Sequence, residues 1–173
     1  MESVITTLMM AALASVVLVA VWWDLRERRV PNVLTLTGLA LALGLRVLGG
    51  FDPLVSGLFG AGLGLLLGLP LVALGGLGGG DAKLMATVGA FLGPGQLLWA
   101  LTVTAIVGGI MALVLAFHRG AVQAVFLDAA RLVARPLGLA PHRPRRTIES
   151  PDAITIPYAV PIAIGALVIV LLT

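Results

Sequence analysis

The stretch GGLGGGDAK, Gly75 to Lys83, interrupts a long leucine-rich run with five glycines and then places a carboxylate at the break. Glycine in a helix interior costs roughly 0.5–1 kcal/mol relative to alanine, so such a cluster ends a helix. One apolar segment therefore stops near Gly75 and another starts near Ala82, with Asp81 between them. What surrounds these two segments decides what the aspartate means.

The surroundings are apolar. Hydrophobic residues make up 60% of the 173-residue chain and charged ones 11%, whereas a soluble domain carries about a quarter. The mean hydropathy of +1.12 agrees. One small core cannot hide so many apolar side chains, so lipid is the solvent for many of them. The expected fold is an all-α membrane protein, a polytopic bundle of about six transmembrane helices forming a single domain over residues 1–173. Spans are predicted at 3–23, 33–49, 54–75, 83–93, 96–117 and 155–172. The first run, Val4 to Trp23, follows Glu2 and no basic residue, which predicts a spanning helix rather than a cleaved signal peptide.

The chain has no cysteine and only two histidines, His118 and His142, so neither thiolate nor histidine-rich metal binding is expected. No cofactor is expected either. The net charge of +3 is explained better by the placement of the charges than by nucleic-acid binding. Cytoplasmic loops retain Lys and Arg. Six passes beginning outside put Arg26, Arg28, Arg29, Lys83, Arg119, Arg131, Arg135, Arg143, Arg145 and Arg146 on the cytoplasmic side, ten of the eleven basic residues. Arg46 is the exception, expected to snorkel from the outer end of the second span. Both termini are then outside.

The fourth span, 83–93, has about half the length that crossing requires, and short runs of this kind are often re-entrant. Re-entry would send the arginine-rich segment 118–152 outside, so crossing is favoured, with Asp81 below the membrane surface in a thinned or watered spot. Trp22 and Trp23 suit the inner interface and Trp99 the outer one. Gly60, Gly64 and Gly68 form a ridge of small residues for close helix packing. Residues 121–136 have the pattern of an interfacial helix on the inner leaflet, followed by the basic stretch PHRPRR near anionic lipid.

Asp24 and Asp81 both fall at the cytoplasmic boundary of this arrangement. Asp24 can be read as a polar helix terminus beside arginines, and Asp81 as an N-cap for the helix starting at Ala82. Alternatively the two meet as a functional pair, since ionisable groups at membrane depth are costly and mark working sites. Two adjacent carboxylates do not both ionise easily; one keeps a proton while the other acts as base, as in aspartic proteases. A phosphate-binding loop is a poor match, because GGLGGGDAK lacks the Lys-Ser/Thr ending. The glycines instead leave room for an extended substrate backbone.

These residues resemble a family. GGGDAKLMATVGAFLG, Gly78 to Gly93, is similar to the G-x-G-D-x-K-L segment of type IV prepilin peptidases, membrane aspartic proteases of the GxGD class. DLRERRVPNVLT, Asp24 to Thr35, resembles their first-aspartate segment, and TIPYAVPIAIG, Thr155 to Gly165, their Pro-rich closing helix. The resemblance implies that Asp24 and Asp81 are catalytic, with Gly78, Gly80, Lys83, Arg26, Arg28, Pro31 and Asn32 in supporting roles. For Lys83 a positive-inside anchor is an equal alternative. Pro31 and Asn32 are expected to start the second helix, with Asn32 capping.

The implied substrates are prepilin or pseudopilin precursors, cut on the cytoplasmic side of the bacterial inner membrane between a short basic leader and a hydrophobic helix. Larger members of the family also carry paired zinc-binding cysteines associated with N-methylation. This cysteine-free chain resembles the short form of Flp/Tad-type pilus systems, for which methyltransferase activity is not expected. The competing classes are a small transporter handling protons or cations, and an inert pilus-assembly component.

Overall fold

The computed structural model describes residues 2–74, 76–118 and 157–172. Six helices run through them: α1 Glu2–Glu27, α2 Asn32–Leu48, α3 Phe51–Ala73, α4 Gly79–Leu92, α5 Pro94–His118 and α6 Ala159–Leu172. Among the described residues there is no strand. Three of the helices, Ser3–Glu27, Phe51–Ala73 and Pro94–His118, are long and apolar enough to cross a membrane, and Asn32–Leu48 and Ala159–Leu172 are shorter apolar helices. The chain is an all-α membrane protein. The interfacial helix expected over 121–136 and the basic stretch after it lie outside the described residues.

The short helix organises the rest. α4 has 14 residues, which at 1.5 Å per residue is about 21 Å, well short of a hydrocarbon core of about 30 Å. It touches all five other helices, and these meet one another in the ring order α1, α2, α3, α5, α6 and back to α1. Ala82 and every residue from Leu84 to Leu92 are buried. α4 is thus sheathed by protein, which is why a helix too short to match the bilayer is tolerated.

Its closest neighbour is α3. Gly57, Gly60, Gly64 and Gly68 are the buried residues of α3, the ridge expected from their spacing extended by one turn. A Cβ on Gly60 would overlap the carbonyl oxygen of Gly89, and one on Gly64 would sit 2.5 Å from the carbonyl oxygen of Met85. The two backbones therefore approach closer than any side chain permits. The turn from α4 into α5 uses Gly93 at φ 79°, followed by Pro94 at the first helical position.

Arg46 does not snorkel outward. It is buried, and its Nε donates to the Ala90 carbonyl (2.6 Å), Nη1 to that of Pro53 (2.8 Å) and Nη2 to that of Phe91 (2.8 Å). The last carbonyls of α4 have no partner within their own helix, and a guanidinium offers several donors in one plane. Its positive charge also suits a helix C-terminus. Gly57 makes room for it, because a Cβ there would overlap the Arg46 Cδ.

Candidate active site

The opposite end of α4 gathers the acidic residues. Asp24 sits in the last turn of α1 and is buried to 6% exposure. α1 closes just beyond it. The Arg28 N–H donates to the Asp24 carbonyl oxygen (2.9 Å), and Arg28 takes φ 55°. That left-handed conformation costs a non-glycine residue about 1–2 kcal/mol. The strained turn brings the chain back at once to Pro31, whose φ of −64° and ψ of 137° set the entry to α2.

Asp81 approaches from the other side. α4 begins at Gly79 rather than near Ala82, so Asp81 lies in the first turn and is not the N-cap. Its Oδ2 accepts the backbone N–H of Gly78 (3.2 Å), one of the donors that a helix start leaves unpaired. The carboxyl groups of Asp24 and Asp81 are close enough for their charges to act on each other.

A third element completes the surroundings. The N–H of Ala159, first residue of α6, donates to Asp24 Oδ2 (3.1 Å). Beside it, Tyr158 is half-buried and lies within reach of the Asp81 charge. One carboxylate thus faces the positive end of a helix, where negative charge is stabilised. Arg28 also acts on Asp24 electrostatically.

The remaining residues expected at the site separate into those that build it and those that stand at its edge. Gly80 packs against the α1–α2 turn: a Cβ there would lie 2.9 Å from the Val30 carbonyl oxygen. The space left by this glycine is therefore filled by the protein itself, not kept for a substrate strand. Gly79 is the open position, with nothing within 4 Å of a Cβ built on it.

Asn32 does not cap α2, whose N-cap is Pro31; its Oδ1 accepts from Lys83 Nζ (2.8 Å) and so ties α2 to α4. A second link runs one turn deeper, where the Thr87 hydroxyl sits between the carbonyls of Thr35 on α2 (3.0 Å) and Lys83 on its own helix (2.9 Å) and has one proton to share. Arg26 is exposed, with its guanidinium carbon 5.2 Å from the Trp22 ring centroid.

Two contributors escaped the sequence, the Ala159 N–H and Tyr158, and both had a usable signal. The sixth span starts on the same membrane face as the two aspartates, so its helix N-terminus had to emerge there.

Fold and site together define an all-α membrane protein with two acidic side chains gathered at one end of a helical ring. The profile of the type IV leader peptidase family matches residues 11–113, more than half of the chain, and the protein belongs to that family of peptidases. The matched range contains Asp24 and Asp81 and stops short of α6. No curated protein and no solved structure matches the chain.

Proposed function

We propose that the protein is a membrane-embedded aspartic endopeptidase that removes the short basic leader of prepilin or pseudopilin precursors, with Asp24 and Asp81 as its catalytic pair. The observation that carries this is the placement of the two aspartates, Asp24 in the last turn of α1 and Asp81 in the first turn of α4, on helices that touch and inside the range matched by the peptidase family. The transporter alternative gains nothing from this arrangement, which gathers both acids at one end of the bundle instead of along a path.

In the proposed reaction the pair holds one proton. The ionised carboxylate removes a proton from water as the water oxygen bonds to the scissile carbonyl carbon. The protonated partner donates a hydrogen bond to the oxyanion that forms. The tetrahedral intermediate then breaks its C–N bond, and a carboxyl proton passes to the leaving amine. No metal or covalent intermediate is needed for this balance. The burial of Asp24 and the cover given by α6 keep bulk water from competing for these hydrogen bonds.

The site would face the cytoplasm at the inner membrane, with both termini outside, as the distribution of ten of the eleven basic residues favours. Asp81 would sit slightly within the membrane, since α4 is the short, sheathed helix of the bundle. The precursor's hydrophobic helix would lie in the bilayer against the ring and present its leader junction at exposed Gly79. Pro31, Asn32, Arg28, Gly78, Gly80 and Lys83 hold the two aspartates together, and Arg26 anchors the inner interface. Methyl transfer is not part of the proposed activity.

The test is coexpression with a candidate prepilin, scoring leader removal on a gel. Asp24→Asn and Asp81→Asn are each expected to abolish processing while the protein remains in the membrane. Normal trimming by either variant would refute the pair.

A further inference from the structure

The C-terminal end of α4 holds a buried charge that its hydrogen bonds alone do not neutralise. Arg46 is 9% exposed, and its side-chain partners among the described residues are neutral carbonyls, those of Ala90, Pro53 and Phe91. Buried charges are normally paired, because carbonyl dipoles offset only part of the lost hydration. These bonds take one N–H from each nitrogen, and each terminal nitrogen carries a second. Beside this guanidinium lies a cavity of about 340 Å³, formed where the starts of α1, α3 and α5 meet the ends of α2 and α4. Arg46 is part of its wall. Thr6 and Gln96 add polar groups to the lining, and Met10, Leu45 and Leu92 add apolar ones.

We propose that this cavity binds an anionic phospholipid, whose phosphate pairs with the Arg46 guanidinium while the first part of an acyl chain lies along Met10, Leu45 and Leu92. The unneutralised charge calls for an anion, and a planar guanidinium matches phosphate oxygens. The apolar walls call for a ligand that continues into hydrocarbon, which a hydrated inorganic ion does not. Depth agrees with both. Arg46 lies two residues before the end of α2, and Gln96 two after the start of α5. Helix ends are the level at which a bilayer keeps its headgroups, outside the hydrocarbon. The volume falls in the range of about 300–1,000 Å³ common for small-ligand sites, so the chains continue past the cavity into the bilayer. The flexible thioether of Met10 suits an irregular chain. The cavity is at the opposite end of α4 from the two aspartates, and the inference does not depend on their role.

The experiment is native mass spectrometry of delipidated protein in neutral detergent, titrated with dioleoylphosphatidylglycerol. One tightly retained lipid per chain is expected. Dioleoylphosphatidylcholine, with the same chains and no net charge, should bind more weakly. Arg46→Met removes the charge, and Met10→Trp fills the cavity while leaving Arg46 in place. Each should weaken phosphatidylglycerol by about tenfold or more, the worth of a hydrogen bond to a charged group. The thermal unfolding midpoint of the wild type should also rise saturably with phosphatidylglycerol, and that of Met10→Trp should not.

Should Arg46→Met not accumulate, Met10→Trp carries the test alone, since Met10 is only part-buried and lies outside the core cluster. Wild-type affinity for phosphatidylglycerol in either variant overturns the proposal. Equal binding of the two lipids overturns it as well, because Arg46 would then recognise no charge. Displacement of phosphatidylglycerol by inorganic phosphate alone would make this a site for a free anion and not for a lipid.

Discussion

The two ends of α4 are built on opposite plans. At its C-terminus the final carbonyls are clamped by a buried arginine, and the Gly93 turn beyond them packs against Ser56. At its N-terminus Asp81 is only part-buried, Gly79 and Lys83 are exposed, and the single side-chain bond onto the first turn from inside the helix is Asp81 to Gly78. One end is closed by a charged clamp; the other carries part-buried Asp81 between exposed Gly79 and Lys83.

That contrast can be broken at several points. The largest effect is expected from Gly60→Val, which drives a side chain into the Gly89 carbonyl and separates α3 from α4. A loss of about 3–5 kcal/mol is expected, in the range of severe core disruptions, read as unfolding in mild detergent. Gly62→Ala, two residues away with open space around its Cβ, is the control and should hold or slightly raise stability.

Next comes Arg46→Met, which orphans the carbonyls of Ala90 and Phe91 at a cost of roughly 1–3 kcal/mol each. Stability in an SDS titration should fall, while the cleavage rate per folded molecule stays within a few-fold of wild type. Equal losses in both readouts would mean that the ends of α4 are not separable. Lys83→Met removes one exposed hydrogen bond, to Asn32. It should cost about 1 kcal/mol or less, with a small fall in cleavage, and a complete loss of cleavage would give Lys83 a direct role.

Much of this architecture was legible in the sequence, and for physical reasons. Lipid solvation forces long apolar runs, so the helices fall close to the predicted spans, with α1 extending to Glu27 past Asp24. A four-residue glycine spacing has one good use in a bundle, and Gly60, Gly64 and Gly68 are used that way. Helix parity put Asp24 and Asp81 on one membrane face, but whether they come together depends on helix packing that parity does not give; only the family resemblance implied a pair.

What stayed hidden depends on which helix lies inside. α4 has the same kind of apolar composition as its lipid-facing neighbours, so its place at the hub of a ring left no mark in its residues. Once α4 is central, its orphan carbonyls need a donor and Arg46 turns inward; read by membrane side alone, that arginine belonged at the surface. Likewise Gly80 looked like room for a ligand until Val30 filled it.

The central claim is that Asp24 and Asp81 act as one unit at the N-terminal end of α4. Its most direct test is a double-mutant cycle on purified protein, measuring leader cleavage for Asp24→Asn, Asp81→Asn and the combined variant. Residues that work as a unit are strongly non-additive, so the account predicts that each single variant is as inactive as the double. Substantial cleavage by either single variant, with the double losing the sum of two partial defects, would contradict it.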